Sequence, residues 1–95
     1  MIRSIVLVRV KEGVTAEQVE EAGHTLTSWA YPDRIGFLFA KDLQLKPDAM
    51  TFAVVSDFDD IEAYMRYDTD EEHNRIRAKV IRPLAADSAR VVVEI

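Results

Sequence analysis

His73 is the side chain of this sequence best suited to chemistry near neutral pH. At 100° per residue it falls within about 60° of Ile76 and Val80 on a helical wheel, so it shares their core-facing side. A neutral imidazole in a part-buried cleft can remove an acidic proton between two carbonyls, the opening step of an aldol condensation. Tyr64 and Tyr67 lie one helical turn apart, so at least one of them faces inward. The Tyr67 hydroxyl can then hold the developing enolate oxygen. A competing reading makes His73 a first-turn helix residue bonded to a neighbouring side chain. By the same reasoning Tyr64 packs as an aromatic, its hydroxyl on a polar partner.

Other chemistries find less support. Ser4 shares its strand parity with Val6 and Val8 and can line the same cleft, but no base stands beside it to make a nucleophile. Trp29 and Phe52 read as walls of the cleft or as core. His24 lies opposite the apolar stripe of its own helix and is assigned to solvent. The acids between Asp57 and Glu72 lack the mid-loop glycine of a calcium-binding loop and read as helix caps and surface charge. No glycine-rich phosphate loop, zinc-ligand spacing or Walker motif is present, so neither a metal nor a cofactor is expected. Arg66, Arg75, Arg77 and Arg82 make the second half locally positive, offset by acidic neighbours.

These residues need a scaffold, and the chain is short. Ninety-five residues without a cysteine leave room for one domain, residues 1–95, and no disulfide or thiolate-metal staple. Seventeen acidic against twelve basic residues, a net charge of −5, argue against binding nucleic acid. No apolar run is long enough to span a membrane, and the N-terminus makes a poor signal peptide, so a cytoplasmic location is expected.

Ile2–Val10 reads as a strand, apolar on both parities and therefore covered on both faces. Thr15 and Gln18 form a capping box that opens a helix, with Val14 and Val19 as its hydrophobic staple. Val19, Ala22, Leu26 and Trp29 form that helix's core face. Strands follow at 35–40 and 50–58, the latter with Phe52, Val54 and Ser56 on one face. Asp59 with Glu62, then Thr69 with Glu72, predict two short helices. The first carries Ile61, Tyr64 and Met65, and the second is stopped by Pro83. A strand over 90–95 ends the chain. The order βαββ(αα)β predicts an α+β, ferredoxin-like domain, its four-stranded antiparallel sheet covered by helices on one face. Ile5, Leu7, Ala53 and Val55 then lie on the bare face, where a second copy packed sheet on sheet would cover them.

The sequence also resembles the stress-responsive dimeric α/β-barrel (Dabb) family over nearly its whole length. The resemblance rests on Ile2-Arg3-Ser4-Ile5-Val6-Leu7, Gly13-Val14-Thr15, Lys41-Asp42-Leu43, Val55-Ser56-Asp57-Phe58 and Ile81-Arg82-Pro83-Leu84. It implies a ferredoxin-like domain that dimerises into a shared barrel. A branch of the family, olivetolic acid cyclase, closes a linear polyketide by an aldol condensation without a cofactor. The Tyr and His that serve that branch fall here on Tyr67 and His73. The family's His-Pro-x-His stretch instead reads Asp70-Glu71-Glu72-His73, its first-strand His is Ser4, and a further pocket His of the cyclase is Phe52.

Together these readings predict a homodimer joined through the sheet face, with a cleft between each sheet and its helices. Ser4, Val6, Val8, Trp29, Phe52, Val54, Tyr64 and Ile76 are expected to contact a small hydrophobic or aromatic ligand. Three functions fit: a cofactor-free cyclase or isomerase, a non-catalytic stress-responsive or ligand-binding dimer, or a cofactor-free monooxygenase of the wider barrel superfamily.

Overall fold

Alternating β-branched and aromatic residues produce four strands, and three capped amphipathic segments produce the helices between them. The computed structural model describes all of residues 1–95. In chain order it contains β1 (Ile2–Val10), α1 (Ala16–Ser28), β2 (Gly36–Lys41), β3 (Phe52–Phe58), α2 (Ile61–Thr69), α3 (Glu71–Val80) and β4 (Ala85–Glu94). The sheet order is β2-β3-β1-β4 with every neighbouring pair antiparallel, the ferredoxin-like arrangement expected. No helix is long and apolar enough to cross a membrane.

Pleating sorts the strand residues onto two faces. Ile2, Ser4 and Val8 of β1 and Phe52, Ser56 and Phe58 of β3 are buried under the helices. The intervening residues, among them Ile5, Leu7, Ala53 and Val55, point to the other face, as their parity requires. Leu38 pairs with Val55 and Val91 with Ile5 on that side, and both remain about half exposed, at 55% and 51%. Near one end of this bare face Arg3 makes a two-pronged bond to Asp57, at 2.8 and 3.0 Å. Gly36 stands opposite Asp57, and a side chain there would come within 3.1 Å of its carboxylate.

The helix ends show where sequence spacing succeeds and where it slips. Thr15 and Gln18 form the full capping box, and Val14 packs beside Val19 as a staple should. The turn before it needs Gly13, whose φ of 90° suits few other residues. The caps of α2 and α3 are Asp60 and Asp70, each one residue beyond the expected Asp59 and Thr69. Thr69 turns its hydroxyl back onto the Met65 carbonyl instead, a bond that suits a helix end rather than a start. The buried face of α2 is Ala63 and Tyr67, whereas Ile61 and Met65 are exposed at 61% and 47%. Strand β4 begins at Ala85, five residues before the position expected. The long β1 supplies backbone partners for Ala85 and for Asp87–Ala89, with an irregularity between Arg9 and Val10.

Candidate active site

The site is assembled at the junction of α2 and α3. Asp70 closes the first helix and opens the second. Its backbone N–H donates to the Tyr67 carbonyl at 3.2 Å, while its carboxylate accepts from the His73 N–H at 2.8 Å. The backbones of the two functional residues are thereby held to one residue, and their ring centroids lie 3.8 Å apart. Trp29, at the end of α1, stacks on the His73 ring at 5.8 Å and 13°. Tyr31 meets Tyr67 edge-on at 5.3 Å.

Between helices and sheet lies a cavity of about 240 Å³. Ser4, Val6 and Val8 of β1 and Val54 of β3 supply its floor, and Trp29, Tyr64, Tyr67 and His73 stand on its walls. Eight of the ten residues picked from sequence therefore meet there. Phe52 and Ile76 do not. Phe52 is only 2% exposed, packed against Val8 and Val19 and tilted onto Phe39 at 4.9 Å, so it is solid core. On α3 the cavity is flanked by Arg77, one turn beyond His73, rather than by Ile76. At 100° per residue Ile76 lies about 60° to one side of His73 and Arg77 about 40° to the other, and an apolar stripe drawn through Ile76 misses the polar one. Arg34 and Ser56 also line the cavity, as do Arg82, Ser88 and Arg90 near its rim. Only tertiary pairing brings these to the site. For Ser56 its strand parity with Phe52 and Val54 was a usable signal.

The electrostatics set the protonation states. Burial, chiefly, raises the Tyr67 pKa, and the nearby Ser56 hydroxyl together with the charges of Arg34 and Arg77 offsets part of the rise. The phenol is therefore a proton donor at neutral pH. Burial also lowers the His73 pKa from its ordinary 6.5, and the positive charge of Arg77 lowers it further; the Tyr67 carbonyl, Asp68 and Asp70 oppose both. The imidazole is thus neutral at pH 7. Its Nδ1 is buried without a hydrogen-bond partner, as is Oδ1 of the adjoining Asn74. Arg34 is itself restrained, donating to the carbonyls of Leu26 and Trp29 and lying 4.1 Å over the Phe37 ring. A neutral base beside a protonated phenol can take a proton from carbon and steady the oxygen that gains the charge.

A model of the family described as the stress responsive A/B barrel domain matches residues 2–95. The chain belongs to that family. Its fold is similar to a dimeric ferredoxin-like protein of unknown function from Thermobifida fusca YX, at 32% identity and a TM-score of 0.88, covering 99% of this chain and 90% of that one. A Dabb family protein from Mesorhizobium loti MAFF303099 is 18% identical with a TM-score of 0.84, over 99% and 95% of the two chains. The hydroxynitrile lyase of Passiflora edulis is 20% identical with a TM-score of 0.78, over 99% and 92%. At such identities the last two share the fold of this Dabb domain, and a shared fold does not carry an activity with it. No curated protein matches the sequence significantly.

Proposed function

We propose that this Dabb domain is a cofactor-free small-molecule enzyme in which His73 abstracts a proton next to a carbonyl. The C–H bond breaks as its proton moves to the imidazole, and the electron pair passes to the carbonyl oxygen. Tyr67 donates a hydrogen bond to that oxygen, and the imidazolium afterwards returns the proton to carbon or oxygen. Aldol-type ring closure and isomerisation both begin this way. Val6, Val8, Trp29, Val54 and Tyr64 would hold the apolar part of the substrate, with Ser4 as a polar contact.

The observation that carries this reading is the placement of His73. Its imidazole stands on the wall of the cavity, largely buried, with its ring centroid 3.8 Å from that of Tyr67. Base and hydrogen-bond donor therefore face the same space. The test is deuterium exchange at the central carbon of acetylacetone in heavy water, followed by NMR. The parent protein should accelerate exchange, and His73→Gln should lose the acceleration while keeping its circular dichroism spectrum. Equal rates in the two proteins would sink the proposal.

The working unit is proposed to be a homodimer joined through the face carrying Ile5, Leu7, Leu38 and Val55. An apolar sheet face without helices supports it, as do dimeric neighbours such as the Thermobifida protein. Sedimentation should give a dimer at micromolar concentration and a monomer for Leu7→Asp. A parent protein that sediments as a monomer would refute it.

A further inference from the structure

The cavity wall is more basic than the rest of the molecule. Arg34, Arg77, Arg82 and Arg90 line it, against a single carboxylate, Asp68. Half of the chain's eight arginines are thus gathered at one site, with three positive charges in excess, in a protein whose net charge is −5. A random share of so acidic a surface would have the opposite sign.

The four arginines are not equally engaged. Arg34 is tied to backbone carbonyls and to the Phe37 ring. Arg90 lies 3.6 Å from Asp68. Arg77 and Arg82 have neither an ion pair nor a side-chain hydrogen bond within the chain, although Arg75, outside the cavity, is near Glu72. They flank the end of α3 and its turn into β4, where the backbone N–H groups of Ile81 and Arg82 both bond to the Arg77 carbonyl. A guanidinium presents a planar fork of donors that matches an oxyanion with two parallel hydrogen bonds. Arg77 and Arg82 thus keep both forks free of protein partners at the edge of a cleft whose lining is otherwise half apolar.

We infer that the cavity takes a small organic oxyanion, a carboxylate or phosphate ester on an apolar body, with the acid group held by Arg77 and Arg82. The inference rests on the small-molecule reading above and adds the substrate class to it. The body fits the space: a cavity of about 150 Å³ accommodates benzene, and this one is about 240 Å³. Seated with its acid at Arg77 and Arg82, such a ligand extends along Val6 and Val54 towards Trp29, Tyr67 and His73. A carbonyl on the body would then reach the proton-transfer pair. The anion also compensates charge that otherwise stands unpaired beside His73.

Binding tests this without any turnover. The full chain is titrated with benzoate, phenyl phosphate and benzamide, which share one ring and differ in charge, and chemical shifts are followed by NMR. At least one anion should bind roughly tenfold or more tightly than benzamide, the scale of a charge-assisted pair. The preference should vanish in the Arg77→Gln/Arg82→Gln double variant and in Arg82→Gln alone should shrink. It should survive in Arg75→Gln. Tighter binding of phenyl phosphate identifies a phosphate ester as the source of the oxyanion, and tighter binding of benzoate a carboxylate. Benzamide binding as well as the anions, or a preference that persists in the double variant, overturns the inference. A His73→Gln protein that keeps the anion preference supports it whatever becomes of deuterium exchange, so the two proposals fail separately.

Discussion

Beneath the helices the same sheet face supports two cores of opposite character. At the α1 end Val8, Val19 and Phe52 form a dry cluster, with Val10, Val14 and Phe39 packed around it. At the α2 end Ile2, Phe58, Ala63 and Tyr67 are surrounded by Trp29, Tyr31 and Tyr64, aromatics that each carry a polar group. Ser4 and Ser56 face each other across β1 and β3, within the half of the sheet that serves the second cluster. The cavity opens between the two. Aliphatic and phenyl groups can fill their space completely because they ask nothing of their neighbours but contact. Phenol, indole and imidazole must each find a polar partner, and such partners are scarce under a sheet this small. Both clusters hold a fully buried phenylalanine, Phe52 in the first and Phe58 in the second, but only the second also brings polar aromatic groups to the cavity.

Substitutions should expose this division. The largest effect belongs to Phe52→Ala, which should cost about 3–5 kcal/mol of stability in urea or thermal unfolding, as for other buried phenylalanines. A loss below about 1 kcal/mol would abolish the distinction between the clusters. Tyr67→Phe removes one hydroxyl from the aromatic side. Its stability should change by no more than about 1 kcal/mol, whereas exchange into acetylacetone should slow about 100-fold, the scale of one lost oxyanion donor. Should stability fall and exchange stay, Tyr67 would belong with the dry cluster after all.

The smallest effect is a pH dependence. Burial places the folded-state pKa of His73 below the unfolded value of 6.5. The neutral ring's contribution is therefore complete above pH 6.5, and it is lost as pH falls through the folded value. Urea melts at pH 7.5 and 5.5 should show the parent weakening in acid. His73→Phe, which has no proton to gain, should weaken less over that interval. A variant with the parent's pH dependence would mean that another group is responsible. The bonded carboxylates Asp33 and Asp57 do not confuse the comparison, because both titrate below their ordinary 3.8.

Most of the scaffold was legible in the sequence, since it is written in local alternation. The parity of β1 separated Ser4, Val6 and Val8 from Ile5 and Leu7, and the register bears that out. The family resemblance is likewise shown over residues 2–95. Two kinds of information were not local. Strand β4 begins in Ala85-Ala86-Asp87-Ser88-Ala89, which has little strand preference of its own and is recruited by the free edge of β1. Arg34 reaches the cavity from a turn, over the Phe37 ring, and no periodicity records that. The caps slipped by one residue because Asp59-Asp60 and Thr69-Asp70 each offer two candidates in succession. Phe52 had the right parity for the cavity, but the depth at which Phe39 and Val19 close over it is a property of packing.

Asp70 has a consequence of its own for how this segment can change. Because its backbone N–H bonds backwards to Tyr67 and its carboxylate bonds forwards to His73, the spacing between the two is set at this one residue. One inserted residue would swing His73 about 100° around its helix and carry it off the cavity wall. Between Tyr67, Asp70 and His73 the stretch is thus tolerant of altered letters and intolerant of altered length, a ruler more than a motif.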